Sequence, residues 1–179
     1  MLRAHLTELS APAPGHSARA DAQTVVVELH RYLRGGGPRT PSSGGTARAA
    51  ASNNDVAAVD RQLILRELGV LDLCAGIIRG SLGDGSGLPP TGAAELTPEQ
   101  GHVLQLARAC YDLLCAGFQD NPSNALYCAE KWMAMFLRHM FLAQDVHAEG
   151  TVKALLEKNR QILYAVATDE NVNVRAPRV

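Results

Sequence analysis

From Ala57 to Val166 apolar residues return every three or four positions, segment after segment, and that rhythm is satisfied by packed α-helices and by little else. Val59, Leu63, Ile64, Leu65, Leu68, Leu71, Cys74 and Ile78 form one wide stripe. Val103, Leu104, Ala107, Cys110, Tyr111, Leu114 and Phe118 form a second, and Ala125, Leu126, Cys128, Ala129, Trp132, Met133, Phe136, Leu137 and Met140 a third. Val152, Leu155, Leu156, Ile162, Leu163 and Val166 make the fourth. Aromatic residues are only 4% of the chain while Leu and Ala abound, which fits helices better than a sandwich rich in Val, Tyr and Thr.

Helix punctuation divides these stripes. Residues 1–18 read as a loose arm, because Pro12, Pro14 and Gly15 break helices and few large apolar side chains are present. A first helix is expected from Ala20 to Arg34, ended by Gly35-Gly36-Gly37, although its TVVVEL run also has strand propensity. The Gly-, Ser- and Pro-rich residues 35–54 read as a flexible loop. Asp55 should cap a second helix running to about Arg79; Gly69 and Gly76 weaken it, and a break near Leu68-Gly69 into two stacked helices is the alternative. A second loop is expected over 80–97. Thr97-Pro98-Glu99-Gln100 then has the form of a capping box with Pro at the first helical position, the clearest helix start in the chain.

That third helix should stop before Asn121-Pro122, which open a fourth, and a turn at Gln144-Asp145 separates it from a fifth beginning near Glu149-Gly150-Thr151. The body is thus one helical domain over 19–168, followed by an irregular tail at 169–179. No basic excess favours nucleic acid, since the net charge is −1. No apolar run reaches the ~20 residues that span a bilayer, and Arg138 and His139 interrupt the best candidate. The N-terminus lacks the apolar core of a secretory signal, so Cys74, Cys110, Cys115 and Cys128 read as reduced core thiols of a cytosolic protein.

Catalytic and metal chemistry finds no local support. Cys110 and Cys115 are separated by about 140° around a helix, and the chain has no CxxC or HxxxH pair. His102, His139 and His147 suit surface or helix-terminal places. A Cys128, His139 and Asp145 grouping would have to be assembled in space, and the GDGSG of the second loop lacks the Lys and the flanking strand of a phosphate cradle. No cofactor is expected. Trp132, Met133, Met135, Phe136, Met140 and Phe141 read first as interhelical core and second as a Met-rich docking groove.

The pieces RQLILREL followed by GVLD, the CYDLL run, QDNPSNALYCAEKW and TVKALLEKNRQIL occur in an order that resembles the RIH domain of the inositol trisphosphate and ryanodine receptors, which are intracellular calcium-release channels. The resemblance implies an all-α, armadillo-like solenoid or bundle of about four to six helices with long flexible loops. It implies a relay module on the cytosolic face of an endoplasmic-reticulum-type membrane, partnered by other domains or subunits of a channel. The chain looks like a fragment or truncated relative of such a receptor; the alternative is a free-standing adaptor for protein–protein interaction.

The resemblance also locates a ligand site. The family's solenoid contributes basic residues at positions matching Val59, Leu63 and Arg66, and a Tyr-Arg-Lys triplet matching Asn121, Pro122 and Ser123. Only Arg66 keeps its charge. Each lost cation removes a charge-assisted bond of roughly 1.5–3 kcal/mol, so inositol trisphosphate binding is not expected, and Arg66 is expected to pair with a neighbouring Glu or Asp.

Overall fold

The computed structural model describes residues 16–35, 47–83, 96–142, 146–157, 159–162 and 164. Six helices are formed among them: α1 (His16–Leu33), α2 (Ala47–Glu67), α3 (Val70–Leu82), α4 (Pro98–Phe118), α5 (Pro122–Met140) and α6 (Ala148–Glu157). Residues 160–162 are helical again. No strand occurs among the described residues, so the all-α class stands.

The helix α4 is the axis of the body and touches each of the other five. Its sequence explains the position: Leu104, Leu106, Ala107, Cys110, Tyr111, Leu113, Leu114 and Phe118 form a buried face about half the circumference wide, which needs several neighbours to cover it, and Gln105 and Asp112 mark the strip left exposed. The most extensive neighbours are α1 and α3, while α5 packs chiefly on α6. Leu71, Ile78 and Cys74 of α3, Phe136 and Cys128 of α5, and Leu155 of α6 complete one contiguous core.

Two turns set the register of these helices. Between α2 and α3, Gly69 adopts φ 74, a left-handed conformation that admits glycine without steric cost, so the single helix expected to Arg79 is two, divided at the weak point the sequence offered as its alternative. Between α4 and α5, Asp120 supplies the left-handed residue at φ 57, and Asn121 caps the next helix by accepting from the Asn124 amide at 3.1 Å. The predicted capping box at α4 is formed, with Gln100 N donating to Thr97 Oγ1 at 3.2 Å and Thr97 N to Gln100 Oε1 at 3.0 Å.

Three boundaries differ from the sequence expectation. Helix α1 begins at His16 instead of Ala20, because nothing in His-Ser-Ala-Arg breaks it. Helix α2 begins at Ala47, well inside the stretch read as a loop, since the Ala-rich run from Ala47 to Ala51 has the strongest helix propensity available. Helix α3 continues through Leu82, whose side chain is buried in the core. The fifth predicted helix starts one residue before Glu149 and is formed through Glu157. Of the arm expected over 1–18, residues 16–18 belong to α1 and residues 1–15 lie outside the described residues, as do the expected turn at Gln144-Asp145, residues 84–87 of the GDGSG loop and the tail from 169.

Candidate functional site

The chemistry-bearing side chains gather where the end of α2 meets the turn from α4 into α5. At the last turn of α4, carbonyls have no partner further along their own helix. Gln62 of α2 supplies it from outside, its Nε2 donating to Ala116 O at 2.9 Å and to Gln119 O at 2.8 Å. Asn124 of α5 works from the other side, its Nδ2 donating to Gly117 O at 2.9 Å and to Gln62 O at 3.2 Å. Both amides are buried, Asn124 completely. They fasten α2, α4 and α5 together at a single corner.

Arg66, the retained basic position, stands at the rim of this corner. Its Nη1 donates to Ser123 Oγ at 3.0 Å and to Asn124 Oδ1 at 3.2 Å, its Nη2 lies 3.6 Å from Glu67 Oε1, and its guanidinium sits 5.5 Å from the centre of the Tyr127 ring. The predicted pairing with a neighbouring Glu is therefore present, and two polar partners and one aromatic face accompany it. Next to it, Tyr127 OH donates to Asp72 Oδ2 at 2.6 Å, and Lys131 Nζ donates to Asp72 Oδ1 at 3.0 Å and to Tyr127 OH at 2.6 Å. These bonds raise the Lys131 ammonium above its ordinary value, the tyrosine hydroxyl first and the carboxylate second. Arg66, Glu67, Asp72, Tyr127 and Glu130 line a shallow pocket of about 580 Å³. With one cation against three carboxylates on its wall, it disfavours a polyanion.

Of the other positions matched to the family's ligand site, Ser123 is brought against Arg66, Pro122 opens α5 exposed to solvent, and Asn121 is buried as the cap. Val59 and Leu63 are half-buried on α2. Val59, Leu63, Asn121 and Pro122 thus do local structural work: packing, capping and helix initiation.

The remaining candidates separate. Cys74, Cys110 and Cys128 are buried free thiols; burial pushes Cys128 up to about 12, and Cys74, hydrogen-bonded to Cys110, is likewise raised. A thiol so held is a poor nucleophile at neutral pH. His139 lies at a helix end as expected but is buried, correcting the surface option. Tyr111 OH lies 2.7 Å from its Nδ1, and its Nε2 lies 3.1 Å from Gly83 O. A carbonyl only accepts, so Nε2 carries the proton and the tyrosine donates to Nδ1. Both ring nitrogens are occupied, which leaves His139 no free base for Cys128. His102 Nδ1 lies 2.6 Å from Pro98 O, and His147 pairs with Asp112 at 2.8 Å. Met133 and Phe136 are buried core, Trp132, Met135 and Met140 half-buried against it, and Phe141 is 72% exposed, so the core assignment holds for the helix and fails only at its C-cap.

Sequence inspection missed Gln62 and Asn124. Their only signal was a pair of amides on otherwise apolar helix faces, which by itself is common.

Comparison with known proteins agrees with this architecture. No curated protein matches the chain. The family model of the RIH domain matches residues 42–175, from just before α2 through the end of the described helices. That match covers most of the sequence, and the chain belongs to the RIH domain family.

Proposed function

We propose that this chain is a helical relay module of a calcium-release channel of the inositol trisphosphate/ryanodine receptor type, on the cytosolic side of an intracellular membrane, with no inositol trisphosphate binding of its own. Membership of the RIH domain family supports the channel context. No described helix is long and apolar enough to cross a membrane, so the pore belongs to other segments or subunits. A bundle in which one central helix touches all the others moves as a rigid body and can pass a rotation from a sensing region to a gate. Such a role needs partners in the assembly and no catalytic group.

One observation carries the ligand half of the proposal. Arg66, the sole cation kept from the family's set, is already engaged by Ser123, Asn124 and Glu67, beside a wall of carboxylates. Titration calorimetry with inositol trisphosphate should give no heat of binding at micromolar concentration, and tight binding would overturn this half. For the relay half, the chain is exchanged for the corresponding segment of a receptor and calcium release is recorded. Gating that survives the exchange, and is lost on Asn124→Leu, is the expected result; a chain that fails to assemble with the channel is a free-standing adaptor.

A further inference from the structure

A second pocket, of about 760 Å³, opens between the C-terminal ends of α1 and α4 and the middle of α2. Leu33 and Val59 contribute apolar wall, and Arg34, Arg61, Gln62 and Asp120 the polar groups. Gln62 is shared between this pocket and the corner beside Arg66, and the pocket's α1 wall precedes the residues matched by the family model.

Two buried polar atoms in it lack a partner among the described residues: Oε1 of Gln62 and Nε of Arg61. The glutamine amide cannot be turned over to cure this. Both partners of its nitrogen are carbonyls, which only accept, so the oxygen must face away from them. Gln62 is 6% exposed, so bulk water does not reach that oxygen freely. Arg61 is held in place by Nη2 donating to Leu33 O at 3.4 Å and by the face of Tyr32 at 5.9 Å, with Nε left over. Adjacent residues therefore present one unmet acceptor and one unmet donor, an arrangement that costs stability unless something supplies both complements.

The surrounding charges define that complement. Two guanidinium groups, Arg34 and Arg61, favour an anionic acceptor for Nε. Asp120 and the negative ends of the α1 and α4 dipoles favour a cationic donor for Gln62 Oε1. Residues 36–46, the segment next along the chain from α1, contain no Asp or Glu and so offer no carboxylate of their own. We propose that this pocket binds a small α-amino acid as its zwitterion, the carboxylate on Arg61 and Arg34, the ammonium on Gln62, and an aliphatic side chain against Leu33 and Val59. A pocket of mixed apolar wall and a few convergent polar groups is the ordinary form of a small-molecule site.

The test is calorimetry on the full chain with leucine, with isocaproate, which lacks the ammonium, and with leucinol, which lacks the carboxylate. Leucine should bind and each analogue should be weaker by about tenfold or more. Arg61→Gln should weaken leucine by a similar factor. Because Arg61 also ties α1 to α2, a second variant protects the test: Val59→Trp fills the pocket from its apolar wall and should abolish leucine binding, with the unliganded melting temperature recorded alongside to separate lost binding from lost folding. No leucine binding at millimolar concentration would mean that a bridging water satisfies the two atoms, and overturns the proposal. Isocaproate equal to leucine, or leucine binding untouched by Val59→Trp, overturns it as well.

Discussion

Helix α4 is closed differently at its two ends. Its first turn is capped within four consecutive residues, Thr97 to Gln100, by two reciprocal bonds at the protein surface. Its last turn is closed by Gln62 and Asn124, which come from two other helices and reach buried carbonyls. The surface cap competes with water that would solvate the same groups if it were removed, whereas the buried clamp has no such substitute. A helix end gains stability from its cap in proportion to how little water could do instead.

Breaking the buried end should therefore cost more than breaking the exposed one. Asn124→Leu, which strands Gly117 O, removes the tie to Gln62 O on α2 and takes a partner from Arg66, is expected to lower unfolding free energy by about 3 kcal/mol, read as a shift of the urea midpoint. Gln62→Leu strands Ala116 O and Gln119 O, the second nearer solvent, and should cost about 2 kcal/mol in the same measurement. Gly117→Ala sharpens the contrast in another way. A Cβ there would stand 2.8 Å from the Leu71 Cδ2 methyl, which is itself fully buried, so repacking should outweigh the gain in helix propensity and leave a net loss of about 1–2 kcal/mol. Thr97→Ala at the exposed end should cost only about 1 kcal/mol; a loss matching that of Asn124→Leu would erase the distinction.

The smallest expected effect is on pH. The end of α3 is also closed from a distance, by His139 on Gly83 O, and burial holds that imidazole below its ordinary value. Below about 6.5 the unfolded chain takes up a proton that the folded site resists, so the unfolded state binds more protons there. Stability is thus full above that value and declines as the pH falls beneath it. His30, also lowered by burial, adds to the slope in the same direction. Urea midpoints on the two sides of that value should show the decline, and His139→Gln should flatten it to the share of His30; an unchanged slope removes His139 from the account.

The helices were legible where signals were local. The capping box at Thr97, the Asn121-Pro122 start and the Gly69 break can each be found in a few adjacent letters, because each is a bond or a dihedral preference between near neighbours. The Ala-rich opening of α2 was obscured by the Gly and Ser on either side of it. Arg66 could be singled out in the sequence by its family resemblance, yet its partners Ser123 and Asn124 lie 57 and 58 positions away. No periodicity reports a pairing at that separation.

The sequence by itself determined that this chain is all-α and where most of its helices begin, because propensity and capping are properties of short windows. Only the tertiary structure decided that α4 is the axis, that two amides clamp its far end, and that Arg61 and Gln62, on the wall of one pocket, leave an unmet donor and acceptor. Those facts depend on which helix faces meet, and the apolar stripes that drive the meeting are non-directional, so they specify burial without specifying the partner.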